Sequence, residues 1–267
     1  RVDVVLGGLD PGVRVYPAVK ARYALVPGWI EPFVQVLGGT RYNTLYDWVG
    51  ERPFLGEMAA PRPTFDQVIG RVGLRGGKKF VSWEASYSLR KTQQLPIFYS
   101  PSQDSLLRPS THGDAPTVLA RQGQFVALYD PSVLQQEAEA HLTASVHEDL
   151  RIGGTFFWRS FRLDSAAAVY GVPNVELTAF GRYTFRKKIS AQLETHLLGS
   201  RTLTETPAGQ RLEEPATLLL NLELAYQFSR RFGVWARVNN LLNQGYARRI
   251  YYLERPLDFQ IGGTVRF

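Results

Sequence analysis

Apolar and polar residues alternate with a period of two along most of this chain, most clearly toward residue 267. In 217–228 one set reads Leu218, Leu220, Leu222, Leu224, Tyr226 and Phe228, and the set between them Thr217, Leu219, Asn221, Glu223, Ala225 and Gln227. Successive side chains of a strand point to opposite sides, so such a segment predicts a strand with one apolar and one polar face. The same alternation predicts strands at 175–185, 188–199 and 257–267. Upstream, Ala138, Ala140, Leu142, Ala144 and Val146 alternate with Glu137, Glu139, His141, Thr143 and Ser145. Val81, Trp83, Ala85, Tyr87 and Leu89 alternate with Ser82, Glu84, Ser86, Ser88 and Arg90. Earlier still, Val34 and Val36 face away from Glu31 and Gln35, and Val19, Ala21 and Tyr23 from Lys20 and Arg22. No window of comparable length has a helical period. The chain reads as all-β, with about eleven strands and a weaker twelfth at 2–8.

The connections alternate in length. Tight turns are expected near Val26-Pro27-Gly28, Arg75-Gly76-Gly77-Lys78, His147-Glu148-Asp149, Arg186-Lys187 and Ser229-Arg230-Arg231. Between them lie longer polar stretches at 41–64, 92–133, 164–172, 201–215 and 243–255. Short turns at one rim and long loops at the other is the arrangement of a bacterial outer-membrane barrel, whose short turns are periplasmic. A soluble lipocalin-like barrel would turn its apolar face inward and use shorter connections. The pattern therefore predicts an antiparallel transmembrane β-barrel of about 11–12 meander-connected strands. Trp29, Phe80, Tyr183, Phe185, Tyr226, Phe228 and Phe267 recur at the short-turn rim, as a girdle at a membrane interface would.

Composition changes little. The chain has 267 residues, 44% hydrophobic, 12% aromatic and 21% charged, and no run of eighteen apolar residues that would make a transmembrane helix. There is no cysteine, which suits many envelope proteins but also others. Arg1 is preceded by no Met or signal peptide, as in a mature, processed or partial chain. The net charge of +7 raises nucleic acid as a partner, but the basic residues are scattered and no nucleic-acid motif accompanies them. Ser88-Leu89-Arg90-Lys91 has the Ser-x-x-Lys spacing of some acyl-transfer enzymes, yet it ends a strand rather than starting a helix. No enzyme, metal site or cofactor is expected.

Three stretches resemble a TonB-dependent outer-membrane receptor. Val238-Asn239-Asn240-Leu241-Leu242-Asn243-Gln244-Gly245-Tyr246 resembles the signature that closes the penultimate strand of these receptors. The terminal strand, with Phe259, Ile261, Val265 and Phe267, resembles the signal read by the barrel insertion machinery. Thr44-Leu45-Tyr46-Asp47-Trp48-Val49-Gly50-Glu51-Arg52-Pro53-Phe54-Leu55-Gly56 resembles a mid-barrel loop element, with Arg52 in place of the usual Asn and no following Lys-Pro-Glu. The resemblance implies that 1–267 is one barrel domain, the C-terminal portion of a barrel of about 22 strands. It implies location in the bacterial cell outer membrane and import of a scarce ligand. The implied partners are outer-membrane lipid, the TonB complex acting through an N-terminal plug, and a surface lipoprotein. The alternative is a passive porin-like or structural barrel without a plug.

Two sets of candidate residues follow. Glu84, Arg90, Glu137, Glu139, His141, Arg182, Glu194, His196, Glu223 and Arg237 fall on polar faces and would line the lumen. They could line a ligand path, although a wet interior calls for polar residues and cross-strand charge pairs in any case. In the long loops, Tyr42, Tyr46 and Trp48, with Tyr246, Arg248, Arg249, Tyr251 and Tyr252, could bind an anionic or aromatic ligand. An interfacial belt with solvated arginines is the plainer account of the same residues.

Overall fold

The computed structural model describes residues 2–5, 12–51, 54–56, 61–101, 105–107, 118–120, 123–206 and 209–266. Eleven strands form one antiparallel sheet in which each strand pairs with the next in sequence. They are β1 (Ala18–Arg22), β2 (Glu31–Arg41), β3 (Thr64–Lys78), β4 (Val81–Gln93), β5 (Val133–His147), β6 (Leu150–Leu163), β7 (Val175–Phe185), β8 (Ile189–Leu198), β9 (Thr217–Gln227), β10 (Phe232–Asn239) and β11 (Asp258–Val265). The sheet is a pure meander and is not closed: β1 and β11 are its two edges among the described residues. Val2–Val5 pairs with Gly12–Val15 as a separate hairpin, so the weak strand read at 2–8 does not join the sheet.

The expected alternation of connections holds. Short turns link β1–β2, β3–β4, β5–β6, β7–β8 and β9–β10, and long connections link the pairs between. One turn lies later than the sequence suggested. Gly76 and Gly77 are strand residues of β3, and the chain reverses at Lys79 and Phe80. The glycines serve close approach instead of turning: a Cβ at Gly76 would fall on the carbonyl of Trp29, and Gly77 N donates to Gly28 O at 2.9 Å. Trp29 and Phe80 accordingly sit in the turns themselves.

The two faces of the sheet differ as the period of two requires. Val34, Val72, Leu74, Leu142, Ile152, Leu193, Leu224, Ile261 and Val265 are all exposed on one face. In water such a continuous apolar surface would be an aggregation site; facing lipid it is matched to its surroundings. The buried hydrophobic residues lie mostly off this face, in a cluster of Trp48, Phe98, Phe125 and Tyr129 and a second of Leu203, Ala247 and Ile250.

The opposite face is charged and cross-linked. Arg71 of β3 reaches Glu84 of β4 at 2.9 Å and Glu139 of β5 at 2.8 Å. Arg159 of β6 bridges Glu137 of β5 at 2.9 Å and Glu176 of β7 at 2.7 Å. Arg75 pairs with Glu31, its register partner on β2, and Arg237 with Glu223, its register partner from β10 to β9. Aromatic rings also occupy this face. Phe33, Phe180 and Trp235 each stand directly opposite a glycine of the neighbouring strand, at Gly73, Gly153 and Gly262. A Cβ on any of these glycines would come within 3 Å of the ring.

Candidate functional site

The long connections are not free loops. The first, 42–63, carries the only described helix, α1 (Leu45–Glu51). Thr44 caps it: its Oγ1 accepts from Asp47 N at 3.1 Å and donates to the Asp47 carboxylate at 2.6 Å. The second, 94–132, contains a hairpin of Leu95–Tyr99 with Val126–Asp130, and a shorter one of Ser105–Leu107 with Val118–Ala120. The fourth and fifth carry hairpins of Arg201–Glu205 with Arg211–Glu214 and of Ala247–Arg249 with Tyr252–Leu253. The sequence reading treated all of these stretches as loops.

All five connections meet in one aromatic platform. The Trp48 ring packs edge-on to Phe98 at 5.3 Å and lies 6.2 Å from Tyr129. Tyr252 stacks on Phe54 at 4.9 Å and on Phe125 at 5.8 Å, and its hydroxyl donates to Gly123 O at 2.9 Å. Tyr99 meets Tyr170 of the third connection at 5.3 Å and donates to Glu205 O of the fourth at 3.2 Å. Arg62 N donates to the Tyr129 hydroxyl at 2.7 Å. A cavity of about 70 Å³ remains between Phe98, Phe125, Tyr170, Leu203, Arg248 and Arg249.

Burial sets the electrostatics of the platform. It pushes the Tyr129 phenol up to about 12, against the Arg62 amide and guanidinium. It does the same at Tyr170, also to about 12, where the Glu205 carboxylate adds to it. Arg201, only 3% exposed, has its pKa lowered by burial despite the neighbouring Glu214. It donates to Ala247 O at 2.6 Å beside the Tyr246 ring. Asp130 anchors the base. It is buried, which opposes its charge, yet its carboxylate accepts from the amides of Ala166, Ser165, Ser132 and Asp164, which together hold its pKa below the ordinary value.

The loop candidates divide. Tyr252 stacks within the platform, Arg248 and Arg249 line its cavity, and Tyr246 lies beside Arg201 of the fourth connection. Tyr251 donates to Pro101 O at 3.4 Å and takes a left-handed φ of 65°. Tyr42 is exposed and Tyr46 is 88% exposed, apart from the cluster. Trp48, expected to meet a ligand, is instead 4% exposed and ties α1 to the second connection. The sequence reading missed Phe98, Tyr99, Phe125, Tyr129, Tyr170 and Leu203. The short apolar runs Leu95–Tyr99 and Val126–Asp130 were the available signal for Phe98, Tyr99 and Tyr129.

The polar-face candidates are mostly engaged in the pairs already described. Glu84 and Glu139 share Arg71, Glu137 holds Arg159, and Glu223 holds Arg237. Glu194 accepts from Gln192 and lies 3.9 Å from His196, which also meets Thr178. His141 bonds Thr155 and Thr143. Arg90 and Arg182 have no carboxylate partner among the described residues. Ser88 and Lys91 stand three apart on a strand and so point to opposite faces, which leaves the Ser-x-x-Lys spacing without a shared site. Phe267 of the terminal set lies outside the described residues, while Phe259, Ile261 and Val265 are exposed on the apolar face of β11.

No family model and no curated protein matches the sequence. Solved structures do. The pyoverdine outer membrane receptor FpvA of Pseudomonas aeruginosa superposes with a TM-score of 0.68 at 14% identity, over 94% of this chain and 36% of that one. The ferric-catecholate import receptor Fiu of E. coli gives 0.68 at 13%, over 96% and 35%. The copper transporter OprC gives 0.64 at 12%, over 97% and 40%. The chain thus spans about a third of the length of the solved structures it matches, and what it shares with them is the fold: the antiparallel β-barrel of outer-membrane receptors and transporters.

Proposed function

We propose that residues 1–267 form one domain, the C-terminal portion of a larger outer-membrane receptor barrel that imports a scarce ligand with energy relayed by TonB. The observation that carries this reading is the packing of all five long connections into a single aromatic and arginine platform at one rim of the sheet. A lipid-facing apolar surface and short turns at the other rim support the orientation, with the platform outside and the turns periplasmic. The open sheet supports the larger barrel. Unpaired strand edges in lipid leave backbone groups unsatisfied, so β1 and β11 call for neighbours beyond each other. Tyr42, Tyr46, Tyr246, Arg248, Arg249, Tyr251 and Tyr252 are the side chains proposed to meet the ligand. Tyrosines and guanidinium groups suit an anionic, aromatic ligand such as a metal chelate.

The structures matched are a receptor bound to pyoverdine, a ferric-catecholate import receptor and a copper transporter, and metal chelates of these kinds are the first ligands to test. Host cells with and without the gene, each with and without TonB, would be assayed for uptake of labelled chelates. Uptake that needs both genes supports the importer. Uptake that needs this gene but not TonB would identify a passive pore. A protein found outside the outer-membrane fraction would overturn the reading altogether.

A further inference from the structure

The polar face carries a network of ion pairs from β2 to β7, and its unmatched cations gather at one end of the sheet, apart from Arg90. Arg71, Arg75 and Arg159, on β3 and β6, are each bound to carboxylates, whereas Arg90 on β4 has no carboxylate partner among the described residues. Near the short turns between β7 and β11 the balance changes. A cavity of about 670 Å³ there is lined by Arg182, Lys187, Lys188, Arg230 and Arg266. Its single carboxylate, Glu223, is already engaged with Arg237. None of the five cations has a carboxylate within ion-pair distance among the described residues.

Two details of the backbone sharpen the imbalance. Arg182 stands directly opposite Arg151 across the β6–β7 ladder, and like charges in that position repel. Arg186 and Lys187 occupy the two central positions of the β7–β8 turn, with φ of 50° and 56° and a bond from Lys188 N to Phe185 O. That turn geometry favours Asn-Gly, so two cationic side chains stand where local backbone preference would not place them.

We infer that this cavity is a docking site for an acidic, extended polypeptide segment. A concave wall of one sign concentrates field and attracts the opposite sign. The cations run from β7 to β11, four strand spacings of about 4.8 Å each, so they span roughly 19 Å. A single small anion would meet one or two of them. An extended chain rising about 3.3 Å per residue covers the row with about six residues. Trp235 beside the row offers an apolar edge on which such a chain can rest. The inference rests on the polar face being the inside of a barrel, but not on what the barrel imports.

The test uses the intact chain in detergent with hexaglutamate, hexaglutamine and inorganic phosphate as probes, and Trp fluorescence as readout. Hexaglutamate is expected to bind and hexaglutamine not. The double variant R182Q/R266Q should weaken hexaglutamate binding by about tenfold or more. R75Q removes a cation already matched to Glu31 and should leave binding unchanged. Retention of strand circular dichroism in each variant excludes misfolding as the cause. Equal binding of the two peptides, equal loss in R75Q, or full displacement by phosphate at equal concentration would overturn the proposal. None of these results bears on uptake, so a failure here is separate from a failure of the receptor reading.

Discussion

The Phe180 ring lies over Gly153, its direct register partner on the neighbouring strand, and fills the space a side chain would take. The two residues form one unit: the glycine leaves a gap on the polar face, and the ring covers the exposed backbone. A Cβ at Gly153 would come 2.7 Å from the ring and 3.0 Å from the Leu142 carbonyl. Gly153→Ala is therefore expected to destabilise the barrel by roughly 1–3 kcal/mol through overpacking. Combined with Phe180→Ala it should cost less than the two single changes summed, since the clash is gone. Reversible unfolding in detergent or bilayers measures all three; strict additivity would show that ring and glycine are uncoupled.

Sidedness makes a second prediction. Leu222 lies on the apolar face of β9 and Asn221 on the polar face, one residue apart. Leu222→Arg should cost about 2–4 kcal/mol in a bilayer, and Asn221→Arg considerably less. Equal penalties would contradict the lipid-facing assignment.

The ion pairs are not equal. Arg159 is 18% exposed and holds two carboxylates, whereas Arg237 is 47% exposed and holds one. Removing the Arg159 guanidinium leaves Glu137 and Glu176, on either side of β6 and each about a quarter exposed, without their shared cation, a loss on the order of 1–3 kcal/mol. Arg237→Gln should cost about 0–1 kcal/mol. The order of the two, from unfolding midpoints, is the quantity to check.

Asp130 predicts an acid-sensitive anchor for the long connections. Its folded pKa is lowered, so its stabilising effect is present above the ordinary carboxylate pKa and is lost as pH falls through the folded value. Protection of the Ser165 and Ala166 amides, meaning exchange relative to the intrinsic rate at each pH, should therefore be high at neutral pH and fall in acid. In Asp130→Asn protection should be lower at neutral pH and no longer fall in acid. An acid response that persists in the variant would assign it to another group.

The Tyr129 and Tyr170 phenols, one buried and one half-buried, predict the opposite limit. Tyr129 and Tyr170 are pushed up to about 12, above the ordinary value of 10.0. A phenol whose folded pKa is raised stabilises fully below its unfolded value and loses that contribution as pH rises toward the folded one. Ultraviolet titration should show a late component near pH 12 that is absent from the Tyr129→Phe/Tyr170→Phe double variant.

Much of the fold was legible because alternation is local. Each residue of Thr217–Gln227 shows its face by its own place in the pleat, and the same holds for Val175–Phe185 and Ile189–Leu198. Strands β3 and β6 were harder to read. Gly70, Gly73, Gly76 and Gly77 interrupt the pattern of one, and Phe156-Phe157-Trp158 puts aromatics on both faces of the other. Arg71 and Arg159, the centres of the charge network, were missed with them.

By itself, then, the sequence determined that this is an all-β meander, which face of most strands is apolar, and where long and short connections alternate. Only the tertiary structure decided what the long connections do. Trp48 and Tyr46 are two residues apart, yet one is buried and the other almost fully exposed. Nothing local separates them; the difference comes from Phe98 and Tyr129, about fifty and eighty residues on, closing over the first ring. The Tyr252 hydroxyl likewise finds its acceptor at Gly123, 129 residues away. A period of two reports the geometry of one strand, while the meeting of distant connections depends on where the whole sheet delivers their ends.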